Sequence, residues 1–367
     1  MKSTYIWGAG HYGVLTALDC EQKDIKIAGF IDSNAKIKTK LGLPVLPSTE
    51  IISKKVVGLH ILIAVRNETI IKEITEILLM AGLKDKDFKV SPLIILEIEK
   101  EKTIRNFFLS LNPSEQEQDV QEIISYFEEN YFSIFPYFFT KKYDSLNIDV
   151  FYDKTCDMSY VLHKNKKMFF PKEVNCLPYY KSLCLEQDED SPHRYETRNF
   201  IVKNGDVIAD IGAAEGIWAL TYADIAKKIY LFESDKKWIQ ALKKTFEPWK
   251  EKTIIVDKYV SNINEDKSVT LDDYFQNETL NFIKADIEGM EVKLLEGATK
   301  TLTRENDLKL LLCAYHKKGD AEEFKKRLDE LGFITEYSKK YMLYTGDKDL
   351  EEPYIRRGLV RAAKPVL

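Results

Sequence analysis

Short apolar runs alternate with amphipathic stretches along most of the chain, which is the rhythm of strands crossed by helices in an α/β protein. Near the amino terminus, Tyr5-Ile-Trp7, Ile27 to Ile31 and Leu59 to Ala64 read as strands. Ile70 to Met80, with Gly82 beyond it, reads as an amphipathic helix with a stop signal. From Ile201 onward the same rhythm predicts strands at Val207–Asp210, Ile229–Phe232, Thr253–Val256, Phe282–Lys284 and Leu308–Cys313. Phe333–Tyr337 and Tyr341–Thr345 flank the turn-like Ser338-Lys-Lys340 and predict a closing hairpin. Between the two regions, Val120 to Glu129 has helical spacing and Tyr131 to Phe139 is rich in aromatic residues. This segment reads as a helical connector whose aromatic face packs on one or both domains. Alternation in Tyr160–His163 and Met168–Phe170 around Lys164–Lys167 predicts a hairpin leading into the second domain. The expected organisation is an α/β domain over 1–100, a connector over 101–147 and a second α/β domain over 148–367.

Composition narrows the function. A chain of 367 residues can bury two cores. A formal charge of -5 leaves no net basic field, which argues against a nucleic-acid substrate. The five cysteines are scattered without metal-finger spacing, as in a protein with free thiols in a reducing cytoplasm. No signal-peptide core and no apolar run long enough to span a bilayer is present. A small-molecule substrate is expected, with a homo-oligomer possible.

The richest stretch chemically is Val207-Ile-Ala-Asp-Ile-Gly-Ala-Ala-Glu-Gly216, a strand running into a small-residue turn, with Glu233 at the end of the next strand. Such a turn offers free backbone N–H groups and no Cβ bulk, so an adenosyl group can lie against the main chain. Glu233 stands where a carboxylate accepts both ribose hydroxyls. Glu215 inside the turn would repel a pyrophosphate, and no P-loop lysine follows. A cationic donor such as S-adenosylmethionine (SAM) fits, with Asp210 and Glu215 opposing its sulfonium. Gly8-Ala-Gly10-His-Tyr-Gly13 and Asp32 form a second glycine turn with an acid at the next strand end.

Taken together, Val207–Gly216, Leu231-Phe-Glu233, Thr270-Leu-Asp-Asp273, Phe282-Ile-Lys-Ala-Asp-Ile-Glu-Gly289 with Glu291–Ala298, and Tyr315-His316 resemble the FkbM family of SAM-dependent methyltransferases. The resemblance implies a Rossmann-like class I methyltransferase sheet with an antiparallel last strand, SAM as cofactor and O-methylation. The expected acceptor is a hydroxyl of a nucleotide-linked sugar destined for cell-surface polysaccharide. The first hundred residues resemble the nucleotide-binding domains of bacterial sugar-modifying enzymes, including acyltransferases acting on nucleotide-linked sugars.

Site expectations follow. Asp210, Gly212, Ala213, Glu215, Gly216 and Glu233 hold the cofactor. Lys284, Asp286 and Glu288 leave the fourth strand of the second domain and His316 ends the fifth; Lys284, Asp286 and His316 are catalytic candidates, Glu288 a substrate-binding one, and Asp286, Glu288 and His316 are candidates for a divalent or iron-type metal site completed by substrate and water. A sugar hydroxyl ionises far above neutral pH and needs a base or Lewis acid. The weaker alternative is that Asp286 and Glu288 only cap the following helix and that His316 makes a plain hydrogen bond. Ser191-Pro-His-Arg-Tyr195 can form a lid with His193 as base, Arg194 on an anionic group and Tyr195 against sugar or cofactor. The bland reading is a helix started by Pro192 with Ser191 as N-cap. Tyr354 to Arg361 reads as a solvated basic edge rather than a diphosphate site. Two other functions stay open: nicotinamide-dependent oxidoreduction through Gly8–Gly13 and Asp32, and a non-catalytic nucleotide-sugar-binding module.

Overall fold

The computed structural model describes residues 3–33, 38–53, 59–347 and 350–365. It divides into two compact units, Met1–Ser110 and Leu111–Leu367. The first unit runs β1 (Ser3–Trp7), α1 (His11–Gln22), β2 (Ile27–Asp32), β3 (Thr39–Lys40), β4 (Leu43–Pro47), α2 (Ser48–Ser53), β5 (Leu59–Ile63), α3 (Glu68–Met80), β6 (Phe88–Val90) and α4 (Pro92–Ser110). Its sheet has the order β3-β4-β2-β1-β5-β6, parallel except for the short β3. Gly13 is required where α1 meets the turn, because a Cβ there would lie 1.9 Å from the Gly8 carbonyl oxygen. Asp32 accepts a hydrogen bond from Ala9 N at 2.7 Å, so the acid of β2 ties down the glycine turn of β1. The domain boundary expected at residue 100 falls inside α4. Ile94, Ile104 and Phe108 are all buried along that helix, so its apolar stripe does not stop there.

The second unit opens with α5 (Gln118–Glu129), then β7 (Phe151–Asp153), β8 (Met158–His163) and β9 (Lys166–Phe170), which form the expected hairpin with β7 added at its edge. The aromatic segment packs within this unit. Phe135, Tyr137 and Phe139 are buried, and Tyr137 accepts from Tyr341 N at 2.9 Å through its hydroxyl oxygen.

After α6 (Cys176–Glu186), the chain lays down β10 (Val207–Ile211), α7 (Ile217–Thr221), β11 (Lys228–Phe232), α8 (Lys236–Thr245) and β12 (Thr253–Val256). The short pair β13 (Tyr259–Val260) and β14 (Ser268–Val269) precedes α9 (Leu271–Tyr274), β15 (Phe282–Ala285), α10 (Glu291–Glu296) and α11 (Thr299–Arg304). The chain continues with β16 (Lys309–Cys313), α12 (Asp320–Glu330), β17 (Ile334–Tyr337), β18 (Met342–Leu343), β19 (Ile355–Arg356) and β20 (Leu359–Ala363). The main sheet has seven strands in the order β12-β11-β10-β15-β16-β20-β17, and β20 is antiparallel to both neighbours. This is the α/β class expected, with the antiparallel last strand in place.

One element differs from expectation. Ile334–Tyr337 pairs with β20 rather than with the segment after Ser338, and Met342–Leu343 pairs with β19. Leu359–Ala363, apolar but for Arg361, fills the slot between β16 and β17, so a local hairpin loses to a longer-range strand. Apolar side chains of the sheet point to both faces. Ala209, Ile211, Tyr230, Phe232 and Ile283 enter one core, and Ile208, Ile229, Leu231 and Phe282 the other.

Within this apolar sheet one charged pair is buried. The β10–β15 register puts Asp210 opposite Lys284, and Lys284 Nζ lies 3.0 Å from Asp210 Oδ1 and donates to Gly212 O at 3.1 Å. Burial pushes the Asp210 carboxyl up to about 6 despite Lys284. Burial alone would lower the Lys284 ammonium, but Asp210 and then Asp286 hold it above its usual range. Removing one partner strands the other. Lys284→Met is expected to cost roughly 3–5 kcal/mol in urea unfolding, and adding Asp210→Asn should recover part of it.

His163 offers a pH test of the same unit. Its Nδ1 lies 3.0 Å from Tyr180 Oη and its Nε2 3.1 Å from Thr221 Oγ1, and burial lowers its pKa to about 4. The unfolded chain therefore binds a proton near pH 6.5 that the folded chain refuses until about 4. This contribution is present above pH 6.5 and is lost as the pH falls toward 4. The slope of unfolding free energy against pH over that window should shrink by about one proton in His163→Asn.

Candidate active site

The carboxyl edge of the main sheet carries the glycine turn after β10. Gly212, Ala214 and Gly216 have φ of 72, 45 and 74°, a left-handed run that only small residues sustain. Gly212 N and Ala213 N donate to Phe232 O at 3.0 and 3.1 Å, so they are spent on β11. Ala214 N donates to Glu233 Oε2 at 2.9 Å, and Ser234 N and Asp235 N donate to Oε1 at 2.7 and 2.8 Å. The Glu233 carboxylate is thus fixed beside the turn, as the sequence pattern placed it. A Cβ on Gly212 would lie 2.0 Å from Asp286 O, which shows how closely the turn after β10 approaches the loop after β15.

Asp286 sits at the centre of the site. Tyr195 Oη donates to its Oδ2 at 3.4 Å and Tyr315 Oη to its Oδ1 at 3.5 Å. His193 Nε2 lies 3.9 Å from Oδ2 and His316 Nε2 3.4 Å from Oδ1. Burial alone would raise the Asp286 carboxyl, but Lys284, His193 and His316 together hold it below the usual range. The neighbouring acids behave differently. Burial, reinforced by Glu215 and Asp286, pushes Glu186 up to about 8, and burial pushes Glu215 up to about 7. Tyr179 Oη donates to Glu215 Oε2 at 3.3 Å. The niche holds more carboxyl groups than it can ionise together.

Several assignments change on this geometry. Asp210 faces Lys284 inside the sheet, so its charge is already balanced, and Lys284 is correspondingly committed to Asp210 and Gly212. Ser191 to Arg194 form a turn instead of a helix start, with His193 N donating to Ser191 Oγ at 3.1 Å and Arg194 N to Ser191 O at 3.2 Å. His193 is buried, 3.5 Å from Cys313 Sγ, and burial lowers its pKa to about 4. Arg194 is tied to Glu196 O at 3.0 Å and Gln187 O at 3.3 Å, which accounts for much of its donor fork. The basic edge near the carboxyl terminus is largely buried. Arg361 lies in β20 and donates to the carbonyls of Arg194 and Tyr195, while Arg357 stacks 3.9 Å over Tyr341.

The three residues expected to share a metal ion are brought near one another but not into one compact set. Glu288 Oε2 lies 3.7 Å from His316 Nε2, yet its side chain is 89 % exposed on a turn with φ of 55°. The compact groups among the described residues are Asp286–Glu291–His316 and His193–Asp286–Cys313, with ligand atoms within 4.8 Å. Glu291 was not singled out from the sequence. It is fully buried, 3.2 Å from His316 Nδ1, and also accepts from Ile287 N at 2.9 Å. Its signal was present in the Asp-x-Glu-x-x-Glu spacing, but that spacing equally describes a helix start.

No curated protein matches the chain. The methyltransferase FkbM from Methylobacillus flagellatus is similar in structure at 13% identity, with a TM-score of 0.44, over 98% of this chain and 90% of that one. An rRNA methylase from Streptococcus thermophilus is 22% identical over 45% of this chain and 89% of that one, with a TM-score of 0.31. A putative methyltransferase from Streptococcus mutans, solved in complex with SAH, is 17% identical over 45% of this chain and 92% of that one, with a TM-score of 0.32. Residues 260–341, which hold Lys284, Asp286, Glu288, Glu291 and His316, match the methyltransferase FkbM domain, and the chain therefore carries a domain of the FkbM methyltransferases.

Proposed function

We propose that the second unit transfers a methyl group from SAM to a hydroxyl of a sugar, carried as a nucleotide-linked precursor of cell-surface polysaccharide. The observation that supports the donor most directly is the crowding of Glu186, Glu215 and Asp286 beside the glycine turn, with Glu186 and Glu215 pushed up to about 8 and 7. A sulfonium brought into that niche supplies the missing positive charge. Glu233, which Ala214 N holds beside the Gly212–Gly216 turn, would accept the ribose hydroxyls. When bound, SAM supplies the electrophilic methyl.

The protein's own part is placement and charge. Asp286 is an ionised carboxylate held by two tyrosine hydroxyls, able to accept a hydrogen bond from an incoming hydroxyl and orient its oxygen toward the methyl. Tyr195 and Tyr315 bring aromatic rings to the same place, a combination of flat apolar faces and carboxylate acceptors that suits sugars. Lys284, balanced by Asp210, supports the charge on Asp286 from within the sheet.

Three outcomes test it. Calorimetry on the full chain should show SAM and SAH binding, weakened about 10-fold or more in Glu233→Ala, the loss of hydrogen bonds to a buried polar partner. Uptake of neither ligand by the folded wild type removes the donor assignment. Asp286→Ala should slow methyl transfer by about 100-fold or more while changing SAH affinity much less, and an equal loss of both would make Asp286 a cofactor-side residue. The pH dependence has a definite sign. Raising the pH from 6 to 9 ionises Glu215 and Glu186, so affinity for the sulfonium of SAM should rise relative to SAH. A constant SAM-to-SAH affinity ratio over that range would contradict the acidic-niche argument.

A further inference from the structure

We propose that Asp286, Glu291 and His316 hold a divalent metal ion of the first transition row. The site is read from these residues, and its use in catalysis rests on the O-methylation reading. Glu291 is the first residue of α10 and has no exposed surface. Its Oε1 accepts from Ile287 N at 2.9 Å, and its Oε2 is buried without a hydrogen-bond partner. His316, 6% exposed, is in the same condition at both ring nitrogens. Nδ1 lies 3.2 Å from Glu291 Oε1 and Nε2 3.4 Å from Asp286 Oδ1, and neither approach has the geometry of a hydrogen bond. Unpaired buried polar atoms are costly, and this cluster gathers three of them.

What the cluster lacks is positive charge. Asp286, Glu288, Glu291 and Asp320 surround the ring, and among the described residues neither Asp286 nor Glu291 forms an ion pair with a lysine or an arginine. The nearby cations have other partners: Lys284 holds Asp210 and the Gly212 carbonyl, Lys317 the Gly289 carbonyl, and Arg356 Asp347. One ligand atom from each of Asp286, Glu291 and His316 lies within 4.8 Å of the other two, near enough for an ion with bonds of roughly 2.1 Å to draw them together. An imidazole with a carboxylate at each end is also how a metal-bound histidine is built, one nitrogen on the ion and the N–H of the other held by an acid. Two carboxylates and an imidazole suit Mn²⁺, Fe²⁺ or Zn²⁺. The trio of His193, Asp286 and Cys313 is the poorer site, because burial pushes the Cys313 thiol up and only a thiolate binds an ion.

The place of the ion gives it a task. In the O-methylation reading Asp286 receives the acceptor hydroxyl, and a hydroxyl that joins a divalent ion gives up its proton more readily than a free one. The acceptor oxygen bonds to the methyl carbon, the carbon–sulfur bond breaks with its pair on sulfur, and the hydroxyl proton leaves to solvent. SAM becomes SAH, and the ion is neither oxidised nor reduced.

Metal binding can be measured without knowing the acceptor. The full-length protein, stripped with chelator and dialysed at mildly alkaline pH, should take up about one Mn²⁺ per chain, followed by the electron paramagnetic resonance signal of the free ion. Pulsed measurements on the bound ion should show an imidazole nitrogen, which His316→Gln should remove and His163→Asn should keep. Affinity for Mn²⁺ should fall about 10-fold or more in His316→Gln and in Glu291→Gln and stay within about twofold in Cys313→Ser. Circular dichroism and SAH affinity, taken on the same stripped samples, should be unchanged in these variants, which shows that they fold. A folded wild type that retains neither Mn²⁺ nor Zn²⁺ at millimolar metal overturns the proposal and leaves a proton on His316 as the only counter-charge. Nitrogen coupling that survives His316→Gln, or affinity lost in Cys313→Ser instead, overturns it as well. With methyl-labelled SAM and a panel of free hexoses and UDP-, GDP- and dTDP-sugars, turnover should cease in chelator and return with Mn²⁺, and turnover undiminished in chelator removes the ion from the catalysis. The binding measurements stand whether or not one of these sugars is the acceptor, and failure of the wild type to bind SAH touches only the donor assignment.

Discussion

The site depends on one close approach of backbone to backbone. The turn after β10 and the loop after β15 come so near that a Cβ on Gly212 would lie 2.0 Å from Asp286 O. Asp286 N in turn donates to Ile211 O at 3.0 Å, which extends the strand pairing one residue past β15. These two contacts set the glycine turn and the central carboxylate side by side. Glu233 reaches the same place from β11, and His316 from the end of β16. Adjacent parallel strands ending at one edge therefore gather the glycine turn, Glu233, Asp286 and His316 in one place.

Charge is partitioned along the same strands. The Asp210–Lys284 pair lies inside the sheet and holds itself near neutrality, which lets a carboxylate and an ammonium sit in an apolar core. One step outward the balance fails. Glu186, Glu215 and Asp286 share the niche, Lys284 is already paired, and the two glutamates respond by holding protons more tightly than usual. Only Asp286, nearest to Lys284 and flanked by two imidazoles, is kept ionised. The energetic cost of that crowding is carried by the folded protein.

Much of this was legible in the sequence because it is written in short-range pattern. Strands buried on both faces appear as apolar runs, and Val207–Ile211, Lys228–Phe232, Thr253–Val256 and Phe282–Ala285 follow those runs closely. The glycine turn and Glu233 were legible because left-handed backbone and a strand-end acid each leave a residue signature. What the pattern hid was partnership at long range. Nothing local says that Ile334–Tyr337 pairs with Leu359–Ala363 instead of with the segment next to it, or that Arg361 enters the core to reach the carbonyl of Tyr195. Lys284 and Asp210 are 74 residues apart in sequence, and only the β10–β15 register makes them a pair. Glu291 was obscured for a related reason. A carboxylate at a helix start has an ordinary explanation, and the second contact, to His316, comes from a different strand.

The three histidines of the second unit show how environment, more than residue type, decides what an imidazole can do. His163 has a partner on each nitrogen, so it is a closed structural element whose neutrality contributes to stability. His193 is buried with a thiol on Nε2, and burial has removed most of its basicity. His316 has carboxylates at both nitrogens, Glu291 3.2 Å from Nδ1 and Asp286 3.4 Å from Nε2, and together with Glu288 they outweigh burial and hold its pKa above the usual value. The same ring is therefore a neutral strut where hydroxyls meet it, as at His163, and a partner of charge where acids surround it, as at His316.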